Sequence, residues 1–138
     1  MMISISDRWQ GFQSLCLNLH KDGCHFLTLI TIAEEYLQRP VDLVGIIRTA
    51  QSKGWIKDDF YVANDGTVIL NYLTGKIWKR KTVTSLPVIK DNDYTEVVYY
   101  NPSTGFHHFR RRYVDTLSGS ITVRDGYIEK YYIYTVEE

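Results

Sequence analysis

The run GCHFLTLITIAEEYL, residues 23–37, constrains the fold of this chain more than any other stretch. Its apolar residues Phe26, Leu27, Leu29, Ile30, Ile32, Ala33, Tyr36 and Leu37 recur at spacings of three and four, so they cover most of a helix's circumference. A helix of that kind has to be enclosed by the rest of the chain. The spacing predicts it over about residues 24–38, with Asp22 as N-cap. It ends before Pro40, whose ring pushes the preceding residue out of the helical region. A second helix is expected over about 42–52, with Leu43, Ile46, Ile47 and Ala50 on one face and Gly54 just past its end. The segment 64–75 opens on Asn-Asp-Gly, and its Val68, Ile69, Tyr72 and Leu73 fit a short third helix closing at Gly75. A strand competes for the same residues.

Beyond Gly75 the pattern changes. Segments 76–84, 96–100, 106–114, 120–123 and 127–136 alternate, or are rich in β-branched and aromatic residues, and read as strands. Eleven tyrosines against five phenylalanines suit half-exposed strands, since each ring carries a polar tip. Residues 101–105, Asn-Pro-Ser-Thr-Gly, have hairpin-loop length, and Asp125-Gly126 is a turn dipeptide before the last strand. Helices followed by an antiparallel sheet define an α+β fold. A length of 138 residues fits one domain over 1–138, and no internal repeat, low-complexity tract or linker divides it.

Charge narrows the function classes. Sixteen Lys and Arg balance sixteen Asp and Glu, which weighs against general nucleic-acid binding. The first ten residues lack the basic and apolar stretches of a signal peptide, and no run of apolar residues is long enough to span a membrane, so a cytoplasmic location is expected. Cys16 and Cys24 are expected as thiols rather than a disulfide. No Cys and His spacing matches a zinc site, the glycines form no phosphate-cradling loop, and no cofactor is implied.

Cys24 follows Asp-Gly at the expected front of the long helix. Free N–H groups and the positive dipole end would lower its thiol pKa there, as a nucleophile requires. The competing reading is a small apolar residue in a core, because cysteine is among the most buried residue types. A base is also needed. Of His20, His25, His107 and His108, the last two are remote enough in sequence to bring a second element to the thiol, and alternation sends one to each face of their strand. Arg110, Arg111 and Arg112 follow, and with the preceding helical segment they allow a rival reading as a winged-helix DNA-binding protein. Three consecutive arginines on a strand cannot all face one groove.

Taken together, "GCHFLTLITIAEEYL", "VDLVGIIRTAQSKGWI" and "HHF" followed by an acidic residue resemble the papain-like cysteine peptidases, particularly the compact bacterial bacteriocin-processing type. The tail "DTLSGSITVRDGYIEKYYIY" is similar to that of uncharacterised papain-like proteins carried on bacterial prophages and plasmids. The likeness runs from about Asn18 to Val136. It implies helices packed on a C-terminal antiparallel sheet and cleavage of an amide bond in a peptide or related substrate. Cys24 would be the nucleophile, His108 the general base with His107 as alternate, and Asn18 the side-chain amide that holds the oxyanion, where the family more often has Gln. The family's acidic position falls on Asp115. Yet seven extended residues at ~3.3 Å each would set it ~23 Å from His108, and a hairpin would instead return Asp125 toward that ring. Loss of function on the same frame, leaving a non-catalytic binding or accessory protein, is the remaining alternative.

Overall fold

The computed structural model describes residues 19–57, 60–85, 88, 90, 92–111 and 125–138. Helices α1 (Leu19–Leu37), α2 (Leu43–Ser52) and α3 (Thr67–Thr74) precede strands β1 (Ile77–Val83), β2 (Asp93–Asn101), β3 (Phe106–Arg111) and β4 (Tyr127–Glu137). The strands form one antiparallel sheet in the order β1-β4-β2-β3, so the last strand lies between the first two. The α+β class read from the sequence is the class observed.

α1 is enclosed as its sequence requires, every residue from Gly23 to Glu34 being buried. Its start differs from the expected one. Asp22 and Gly23 lie inside the helix rather than before it, so Asp22 is not its N-cap. Its end is as expected: Gln38 turns into the left-handed region at φ 56°, and the buried Glu34 carboxylate accepts the Val41 N–H at 2.8 Å. α2 is capped by Asp42, whose carboxylate accepts the Gly45 N–H at 3.1 Å. Segment 67–74 is helix rather than strand, because glycines in left-handed conformation, Gly66 at φ 85° and Gly75 at φ 70°, close it at both ends.

The hairpin at 101–105 joins β2 to β3, and the N–H of Gly105 returns to the carbonyl of Asn101 at 2.8 Å. β2 starts three residues earlier than its alternation predicts, at Asp93. The strand expected over 120–123, and the end of the one expected over 106–114, lie outside the described residues. Residues paired across an antiparallel ladder share a face. Tyr94, Glu96, Val98, His107, Phe109, Arg111, Tyr132 and Tyr134 therefore face α1, while Thr95, Val97, Tyr99, His108, Arg110 and Ile133 face the other way. Both faces carry buried residues.

Candidate functional site

Cys24 is a thiol 1% exposed. It is the sixth residue of α1, past the four whose N–H groups a helix leaves without an internal acceptor. Neither the dipole field of a first turn nor a spare Cys24 N–H for an oxyanion is supplied at this place, which corrects the expectation of a helix-terminal cysteine. What α1 does supply is contact with β3. The Thr28 Oγ1 lies 2.7 Å from the Cys24 carbonyl oxygen and 3.2 Å from the Phe109 carbonyl oxygen, so one hydroxyl proton is shared between them. The backbone at Cys24 thus runs beside the segment that carries His107 and His108.

The two histidines part at that strand, as alternation predicts. His108 is 1% exposed on the face away from α1, its ring centroid 6.4 Å from that of Tyr99. His107 is on the α1 side, 4.8 Å from the Tyr100 ring, with Nε2 3.4 Å from a Glu129 carboxylate oxygen. Asp125 is exposed just before β4. Tyr99 pairs with His108 on one side and Ile128 on the other, so β2 separates the start of β4 from β3. Asn18, Asp115, Cys16 and Arg112 lie outside the described residues. Arg110 donates to the Tyr99 hydroxyl at 2.6 Å, and Arg111 donates to Glu35 at 2.6 Å, so two members of the arginine run bind within the chain and on opposite faces.

A histidine that local spacing passed over occupies the best-built polar site. His25 Nδ1 is 2.7 Å from Glu96 Oε2, and the Tyr134 hydroxyl donates to Glu96 Oε1 at 2.8 Å. Glu96 and Tyr134 are fully buried. Burial, then the charge and hydrogen bond of Glu96, push the Tyr134 phenol well above its usual range, so it stays a donor. With the Tyr134 hydroxyl donating to one oxygen, the other oxygen of Glu96 is placed to accept from His25 Nδ1, which would leave Nε2 as the second hydrogen-bonding atom of the ring. His25 also lines a cavity of about 340 Å³, together with His107, Arg80, Lys130, Phe109 and Tyr132.

The signal for this site was a glutamate on an inward-facing position of β2. Starting that strand at Glu96 made it look like an end residue, and the 71-residue separation from His25 hid the pair. Among the described residues no helix is long and apolar enough to cross a membrane, and no cluster of His, Cys, Asp and Glu is placed to hold a metal ion. Comparison with protein-family models, curated proteins and solved structures finds no match.

Proposed function

We propose that this chain is a papain-like cysteine hydrolase that cleaves an amide bond with Cys24 and a β3 histidine. The observation that carries the reading is the Thr28 hydroxyl shared between the Cys24 and Phe109 carbonyls, which sets the thiol-bearing turn beside the histidine strand. A β3 histidine takes the Cys24 proton, His108 around the edge of the sheet that β3 forms or the alternate His107 from the α1 side, and the thiolate attacks the substrate carbonyl carbon. Asn18 holds the resulting oxyanion. The C–N bond then breaks as that histidine returns the proton to the leaving amine, and a thioester forms. Water, deprotonated by the same histidine, releases the acid and restores the thiol. Asp115 orients the ring, since β2 stands between β3 and the start of β4 beside Asp125. Because Cys24 lies past the first turn of α1, the histidine rather than the helix field has to activate the thiol.

The second reading, a non-catalytic binding protein on the same frame, is favoured by the 1% exposure of Cys24. An alkylating probe applied to the native protein near neutral pH separates the two. An activated Cys24 is labelled at least tenfold faster than in the His108→Ala protein, which is about 1.4 kcal/mol of lost activation. His107→Ala serves as the parallel control for the alternate base. Slow labelling that neither substitution changes would leave the binding protein.

A further inference from the structure

We propose that the cavity over His25 is a binding site for a small organic oxyanion carried on a flat ring, separate from the chemistry at Cys24.

The lining of this cavity carries two fixed cations and two imidazoles. Arg80 from β1, Lys130 from β4, His25 from α1 and His107 from β3 line the space, with the Asn64 amide and Tyr61 beside them. No carboxylate lines it among the described residues. The acids nearest these groups are Glu96, Glu129 and Asp65. Glu96 is taken up by His25 and Tyr134. Glu129 lies 3.4 Å from His107 Nε2 and 3.6 Å from Lys130 Nζ. For Asp65, partial desolvation raises its pKa, but the Thr67 hydrogen bonds and the Arg80 charge outweigh that and hold it below the usual carboxylate range. With Arg80 and Lys130 on the lining and no carboxylate among its described residues, the space favours an anion.

The walls are also fixed before any ligand arrives. Arg80 lies over the Tyr132 ring, 4.1 Å from its centroid, and donates to the Asp65 carbonyl at 3.2 Å. A guanidinium held this way offers a ready fork at little entropic cost. The rings of His25 and Phe109 are 4.5 Å apart, and Phe109 and Tyr132 are inclined by only 22°. Nearly parallel rings favour a flat body against them. The cavity's 340 Å³ lies at the small end of ligand pockets, which suits one ring and one acidic group.

Titration of the full chain with benzoate, phenyl phosphate and neutral benzamide, followed by NMR of the imidazole and backbone amide signals, tests the site. Saturable shifts of His25, His107 and Lys130 signals with either anion are expected, and which anion binds more tightly separates carboxylate from phosphate recognition. Benzamide is expected to bind at least tenfold more weakly. Arg80→Gln and Lys130→Gln should each weaken the anion about tenfold, and the Lys130 variant keeps the test valid if Arg80→Gln fails to fold. The Cys24→Ser protein should bind as the parent does, so a failed thiol-labelling result leaves this inference standing and the reverse also holds. No saturable shift with either anion, equal binding of benzamide, or shifts confined to residues away from the cavity would overturn it.

Discussion

Glu96 is the side chain on which the interior of the α1-facing side turns. A carboxylate with no exposure is costly to bury, and it is tolerated here because His25 and Tyr134 each give it a hydrogen bond. Removing it strands both donors in a place water does not reach. Glu96→Ala should therefore cost about 3–5 kcal/mol, and Glu96→Gln, which still offers Tyr134 an acceptor, about 1–3 kcal/mol. Urea unfolding of the two variants checks that order, and an equal loss would mean the charge and its partners matter less than packed volume. Tyr134 adds a pH signature. Its folded pKa is raised above the ordinary phenol value of about 10, so its contribution is fully present below that pH and is lost as pH climbs toward the folded value. Tyr134→Phe should flatten the part of the alkaline fall in stability that this residue causes. Tyr94, also raised by burial and by Glu35, keeps some of the fall in place.

Helical elements were legible because their signals are local: spacing, caps and glycines act within a few residues. α1 shows where local signals stop. Asp22-Gly23 reads as a start, yet packing on β3 and α3 carries the helix through a glycine that costs about 1 kcal/mol in a helix interior. The two glycines around α3 give a sharper test. Both have positive φ, but a Cβ on Gly66 would fall 2.7 Å from Leu29 Cδ1, whereas Gly75 has open space around it. Leu29 is fully buried in α1 and cannot swing away. Gly75→Ala should cost roughly 1 kcal/mol for conformation alone, and Gly66→Ala roughly 2–5 kcal/mol once overpacking is added. Thermal melts should rank the parent above Gly75→Ala and Gly75→Ala above Gly66→Ala. Equal shifts would place the Gly66 turn away from α1.

At the scale of the whole molecule the sequence named the strands but not their order. Alternation looks the same in an edge strand and a central one, so nothing in residues 127–137 says that β4 inserts between β1 and β2. The same blindness hid the cavity, whose walls come from α1, the segment before α3 and all four strands and meet only once that order is set. The order also predicts how the fold opens. β4 is hydrogen-bonded along both sides, and α1 is buried through its middle turns, so their amides should exchange only by global unfolding. α2 has Ile46 and Ala50 as its buried residues and presents the rest of its ten positions partly or wholly to solvent. It should open first, in a step that leaves the sheet intact. Native-state hydrogen exchange in low denaturant reads this directly: peptides from α2 gain deuterium at a free energy well below the global value, while those from α1 and β4 follow the global transition. Were α2 to exchange together with α1, the connection through the Glu34 carboxylate and the Val41 N–H would have to bind the two helices into one cooperative unit.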